Sequence, residues 1–277
     1  MAPSDARDAP IGPLGSDDLD DALALSAEAG WNQVRADWQL MLLLGRGFAV
    51  RDAGRVVATA LALPYRPAFG WVSMVLVHAP YRRIGLATRL VERATAALTD
   101  LGLVPVLDAT PAGAEVYGRM GFRPVGNVVR FRGACAGRAL VAPVRGLVDR
   151  AAELDHAAFG ADRRAVLVDL AGRRPPVATL ADAGDGFLLS RSGRTATQLG
   201  PLVAREPSAA VALLTRALDA LDGTVLVDVP DSATAVAGTL ARRGFAPERP
   251  YVRMALGRDA IAGEPALVHA IAGPELG

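Results

Sequence analysis

The 277-residue sequence contains a single cysteine, Cys135, so neither an intramolecular disulfide nor a thiolate cluster can staple it. Its three histidines, His78, His156 and His269, are too few and too scattered to build a zinc site, and no metal is expected. Lysine is absent, all 30 basic residues being arginine, which excludes a Walker phosphate loop, whose lysine is obligatory. An excess of one charge is also missing. The 30 basic and 29 acidic residues leave a net charge of +1, whereas duplex nucleic-acid binders show a basic excess or stripe. Apolar runs such as Leu40–Leu44 and Val75–Val77 fall far short of the roughly 20 residues that a spanning helix needs. The chain opens without a charged, apolar, small-residue leader. A cytoplasmic protein with no nucleic-acid or membrane partner is expected.

What remains is a globular composition, 51% hydrophobic and 21% charged. The length predicts about two domains, and a chain of this size buries enough surface to fold without staples. The sequence also repeats itself. Gly121-Phe122-Arg123-Pro124-Val125 is followed by Arg130, and Gly244-Phe245-Ala246-Pro247-Glu248 by Arg253, with a Gly-to-Arg spacing of nine both times. Upstream lie two short apolar strands, each carrying an acid and then a proline: Val106 to Pro111 with Asp108, and Val225 to Pro230 with Asp228. Farther upstream, each half has an apolar strand leading into an apolar-periodic helix, 71–77 then 86–98, and 197–204 then 208–221. This order predicts a tandem pair of α/β domains built on mixed (α+β) sheets. The expected boundaries are an extension over 1–14, a first domain over 15–140, a second over 146–258 and a tail over 259–277.

Within the first half, helices are predicted near 17–29 and 33–44, then strands over 47–52 and 55–63 joined by an Ala53-Gly54 turn. A strand over 71–77, ended by Pro80, precedes a helix over 85–100. A strand over 104–109, a helix over 112–120 stopped by Gly121, and a closing strand complete the half.

The stretch Val77-His78-Ala79-Pro80-Tyr81-Arg82-Arg83-Ile84-Gly85-Leu86-Ala87-Thr88 carries the most chemistry. A strand ends, a basic turn follows, and an amphipathic helix begins. Amides at a helix start have no intrahelical acceptor, and with the helix dipole they suit an anion such as a pyrophosphate. Read on spacing alone, an ordinary strand-to-helix turn with surface arginines is an equal alternative. A GxGxxG fingerprint is absent, since Gly45-Arg46-Gly47 leads into a strand-like run.

Arg82-x-x-Gly85-x-Ala87 after a strand ending in Val77 resembles the acetyl-CoA signature of the GNAT acetyltransferase superfamily. Ala114-Glu115-Val116-Tyr117-Gly118-Arg119-Met120-Gly121-Phe122 resembles that superfamily's second motif. The second half resembles the degenerate C-terminal partner of tandem GNAT proteins. The resemblance implies two strands that splay apart around the thioester arm of acetyl-CoA, paired to the backbone of Val75, Leu76 and Val77. It also implies a pyrophosphate held at Arg82, Arg83, Ile84, Gly85, Leu86, Ala87 and Thr88. Thr110 stands where many members carry an asparagine that contacts the cofactor.

Acetyl transfer to an amine needs a neutral nucleophile held close, an oxyanion donor and a proton for the departing thiolate. The resemblance makes Tyr117 the candidate acid, and a phenol with a pKa near ~10 is protonated at neutral pH. The base is left open among Asp37, Asp108, His78 and a water chain. Trp31, Asn32, Gln33, Asp37 and Trp38 fall where the family walls its acceptor pocket, and Asp108 is a further candidate there. In the second half, Val203-Ala204-Arg205-Glu206-Pro207-Ser208 lacks the motif, and Glu206 opposes a pyrophosphate, so no CoA is expected there. That half is expected to close one side of the acceptor site, with Asp155, Phe159, Arg163 and Arg191 as lining candidates. The function expected is N-acetylation of a small-molecule amine, with a homodimer allowed for. The alternatives are a non-catalytic acyl-CoA-binding or regulatory module, and a protein N-acetyltransferase.

Overall fold

The computed structural model describes residues 5–137, 146–173, 179–180 and 185–277. Its contacts divide into two compact units, residues 1–107 and 108–277.

In the first unit, β1 (Ile11–Leu14), β2 (Arg46–Asp52), β3 (Arg55–Tyr65) and β4 (Phe69–Val77) pair antiparallel in that order. β5 (Val104–Ala109) joins β4 in parallel, which a crossover helix makes possible. That helix is α3 (Leu86–Thr99), whose buried Leu86, Leu90, Val91, Ala94, Ala97 and Leu98 form one apolar stripe. It packs on β2, β3 and β4. Helices α1 (Leu19–Glu28) and α2 (Arg35–Leu44) precede the sheet. Trp38, Met41, Leu61, Leu63, Tyr65, Phe69 and Trp71 are fully buried and centre the core. Part of the expected N-terminal extension is therefore β1, the edge strand of this sheet.

The second unit contains α4 (Pro111–Arg119), β6 (Phe122–Ala136), α5 (Leu147–Phe159), α6 (Arg164–Ala171), β7 (Thr179–Leu180), β8 (Gly186–Ser192) and β9 (Thr197–Ala204). It continues with α7 (Pro207–Ala220), β10 (Asp222–Pro230), α8 (Thr234–Arg242), β11 (Ala246–Leu256) and β12 (Val268–Ala270). The strand order is β11-β6-β10-β9-β8-β7, with β12 added on β9. Leu199, Leu202, Leu213, Leu214, Val225, Val227, Val236, Leu240 and Phe245 form its core.

One feature of this order departs from two consecutive copies. β6, the closing strand of the first repeat, lies between β10 and β11 of the second, antiparallel to both. Its ladder runs along Val128–Ala136 with β10 and along Phe122–Arg132 with β11. Contacts therefore group β6 with the second unit. Residues 138–145, around the boundary expected from the sequence, lie outside the described residues.

The repeat's four charged residues show the consequence. Arg130 on β6 pairs with Asp228 on β10 through two bonds of 2.8 Å, and Arg253 on β11 pairs with Asp108 at the end of β5 through two more of 2.8 Å. Each repeat's arginine thus meets the other repeat's aspartate. Both carboxylates are wholly shielded from solvent.

Candidate active site

β4 pairs with β5 only over Phe69–Trp71. Beyond that point β4 continues to Val77 with its β3 ladder alone inside the unit. Its path is altered by a bulge, because Leu76 pairs with Thr59 and Ser73 with Leu61, leaving Met74 and Val75 opposite Ala60. Met74 takes a left-handed backbone, φ +49°, and the Thr59 hydroxyl donates to its carbonyl at 2.8 Å. Val75, Leu76 and Val77 therefore lie on the part of β4 beyond its β5 ladder.

After Val77 the chain makes a short 3-10 turn over Ala79–Tyr81 and reaches α3 through two left-handed residues, Arg83 at φ +63° and Gly85 at φ +92°. For an arginine such a conformation costs about 1–2 kcal/mol, and strain of this kind concentrates where backbone direction serves binding. A Cβ on Gly85 would meet nothing within 4 Å, so the glycine is required by its φ and not by crowding. The Arg89 amide donates to the Gly85 carbonyl at 3.2 Å, as the first i to i−4 bond of α3. The amides of Leu86, Ala87 and Thr88 precede it and have no intrahelical acceptor. With Ile84 and Gly85 they form a nest at the positive end of the helix, a fit for a diphosphate.

The turn is braced from α1. Glu28 accepts from the Ala79 amide at 2.8 Å, from Arg82 at 3.1 Å and meets the His78 ring at 2.6 Å. Burial works against its charge, but the His78 ring, the Ala79 amide and Arg82 outweigh it and hold the carboxyl below its ordinary range. Arg82 also donates to the Val77 carbonyl at 2.9 Å, so its guanidinium ties the end of β4 to the turn. His78, a base candidate, is committed to Glu28. Arg83 is exposed and has no ion pair among the described residues. Glu28 has no local sequence signature, since its partners lie 50 or more residues away.

Thr110 is the N-cap of α4, its hydroxyl accepting from the Gly113 amide at 3.4 Å. Tyr117 on α4 is partly exposed and packs at a tilt against Phe122, with ring centroids 6.2 Å apart. Burial pushes its phenol up to about 12, so it holds its proton throughout the neutral range. Asp108 is held by Arg253 through both carboxylate oxygens, an arrangement that fixes the end of β5. Neither Arg253 nor Glu28 stood among the residues expected at the site, although the paired Asp and Arg positions of the repeat pointed to Arg253.

Around the acceptor wall, the Asp37 carboxylate is buried and accepts from the Val34 amide at 2.8 Å, capping α2. Trp38 is fully buried and donates to the Ser26 hydroxyl at 3.0 Å. Both serve the fold. Asn32 and Gln33 are buried, and Trp31 is partly exposed. The Gln33 side-chain carbonyl has no hydrogen-bond partner among the described residues, a costly state for a buried acceptor.

Comparison with known proteins agrees with this frame. Residues 17–122 match the model of the acetyltransferase (GNAT) family, and residues 151–269 match that of an acetyltransferase (GNAT) domain. The chain belongs to the GNAT acetyltransferase family, with one such domain in each half, and is an acyltransferase. Members of this family use acetyl-CoA. The chain is 25% identical over 237 residues to the uncharacterized N-acetyltransferase YitH of Bacillus subtilis (strain 168), covering 80% of this chain and 83% of that protein. Among solved structures, a putative acetyltransferase from Pyrococcus horikoshii superposes with a TM-score of 0.83 at 21% identity, over 97% of this chain and 95% of that one. A tandem GNAT protein from the clavulanic acid biosynthesis pathway gives 0.56 at 14% identity, over 92% and 99%. Both share the fold. Among the described residues, no helix is long and apolar enough to cross a membrane.

Proposed function

We propose that the chain transfers the acetyl group of acetyl-CoA to the primary amine of a small molecule, by direct attack within a ternary complex. The observation that carries this reading is the strained turn at Arg83 and Gly85, set at the end of a bulged, free-running strand. Acetyl-CoA supplies an activated acyl thioester when bound. The amides from Ile84 to Thr88 hold its diphosphate, and the free edge at Val75–Val77 pairs with its pantetheine arm. Arg83 contributes countercharge, while Arg82 keeps the turn in shape. Tyr117, which the family resemblance makes the candidate donor to the departing thiolate, keeps its proton at neutral pH. The unpartnered Gln33 carbonyl supplies an acceptor for an amine N–H, which favours an amine acceptor small enough to reach a buried amide.

Calorimetry with acetyl-CoA, followed by thiol release across a panel of amino acids, polyamines and peptides, tests the reading. Micromolar binding is expected, with thiol release supported by small amines and not by peptides. Binding without release under any acceptor would favour a non-catalytic acyl-CoA module, and release with peptides alone a protein N-acetyltransferase. Tyr117→Phe is expected to lower kcat at least tenfold with acetyl-CoA affinity unchanged, and unchanged kcat would remove the tyrosine from its role.

A further inference from the structure

β9 reproduces the features of β4. It runs parallel to β10 over three ladder pairs, Thr197–Leu199 with Val225–Val227, and then carries a bulge at Gly200-Pro201, between Leu199 paired with Ser190 and Leu202 paired with Leu188. Counted from the bulge, Leu202 and Val203 stand where Leu76 and Val77 stand in β4.

In this half the edge is taken by the chain itself. β12 lies antiparallel on β9, Val268 against Val203 and Ala270 against Leu202, and the Ile271 amide donates to the Asp228 carbonyl on β10 at 2.9 Å. The segment thus bridges the two strands where they separate. The fit is close, because a Cβ on Gly200 would lie 2.0 Å from the Ile271 carbonyl oxygen.

Polar anchors hold the rest. Arg191 on β8 donates to the Ala272 carbonyl at 2.6 Å and pairs with Glu275, both side chains being 4% exposed. Arg163 donates to the Gly277 carbonyl at 2.8 Å while clamped by Asp155 and stacked on Phe159, 4.0 Å from the ring centroid. The His269 ring donates to the Ala204 carbonyl at 3.2 Å, and burial lowers its pKa, keeping it neutral. Of residues 269–277 only Pro274 is not buried. Asp155, Phe159, Arg163 and Arg191, which the sequence offered as linings for an acceptor, are thus the residues that seat or surround this segment.

We infer that residues 268–277 are a resident strand ligand: they permanently fill the cleft whose counterpart in the first half takes the acyl-CoA arm. What the first cleft carries rests on the function proposed above; the filling of the second does not. Its occupant is covalently attached and held through buried ionic groups, so the second half is closed to CoA by occupation as well as by its turn.

Hydrogen exchange on the full chain tests this, with and without acetyl-CoA. Amides of 268–271 are expected to exchange as slowly as those of the β10 core, and acetyl-CoA should leave them unchanged while protecting 84–88. Exchange of 268–271 as fast as in the exposed 257–264 stretch would overturn the inference, as would loss of their protection on adding acetyl-CoA. Glu275→Gln is expected to speed exchange in 268–277 at least tenfold without affecting 35–65, and no change would overturn the ionic anchoring. Lack of acetyl-CoA protection at 84–88 would sink the proposed function alone, since the behaviour of 268–271 is read separately.

Discussion

The two halves carry nearly the same strand and end it differently. β4 and β9 both run parallel to a neighbour for three pairs, bulge and leave it. After β4 the chain turns through two left-handed residues and presents α3 with open amides. After β9 it enters α7 through an extended Glu206 and Pro207. Proline has no N–H to offer and the carboxylate repels an anion. Splayed strands are therefore not enough to make a cofactor site. On the function proposed above, the turn decides which cleft takes a diphosphate, and on the further inference the other is filled from within the chain.

The contrast rests first on the crossed ion pairs. Arg130→Gln and Arg253→Gln each strand a carboxylate that is wholly shielded from solvent. Each is expected to cost about 3–5 kcal/mol and to lower Tm by on the order of 10 °C. If the halves differ as described, Arg130→Gln leaves kcat of the folded fraction unchanged, whereas Arg253→Gln lowers it by loosening Asp108 just before α4. Equal effects on kcat would erase that distinction.

A smaller effect is expected at the turns. Gly85→Val should weaken acetyl-CoA at least tenfold, about 1.4 kcal/mol, in calorimetry. Glu206→Ala in the other turn should create no second equivalent of binding. The smallest effect concerns Glu28. Its pKa in the folded protein lies below the ordinary 4.5, so its stabilisation is present above that pH and fades as pH falls through the folded value. Glu28→Gln should raise the acetyl-CoA Kd a few-fold at pH 7. The Tm gap between variant and parent should close on acidification below about 4.5.

Much of the scaffold could be read from periodicity and turn chemistry. The elements expected at 55–63, 71–77, 85–100 and 104–109 correspond to β3, β4, α3 and β5 within a few residues. Repeat spacing singled out Asp108, Arg130, Asp228 and Arg253 without revealing who pairs with whom, because partner choice depends on strand order across 98 and 145 residues. The 259–277 tail reads as a loose Gly/Pro-bearing extension, since only tertiary contacts with Arg163, Arg191 and β9 bury it. The backbone strain at Met74 and Arg83 likewise has no local composition signal. Asp37 shows a role that the sequence did not suggest: a carboxylate beside tryptophans caps its own helix.

The placement of β6 between β10 and β11 also dictates the order in which the molecule can mature during synthesis. β6 leaves the ribosome with neither neighbour made, and its second one is complete only at Leu256. At about 5–20 residues per second that interval is on the order of ten seconds. The nascent chain shows two bare β6 edges until β10 is complete at Pro230 and one from there to Leu256, an invitation to aggregation, so yield in the cell should depend on chaperone supply more than the finished molecule's stability would suggest.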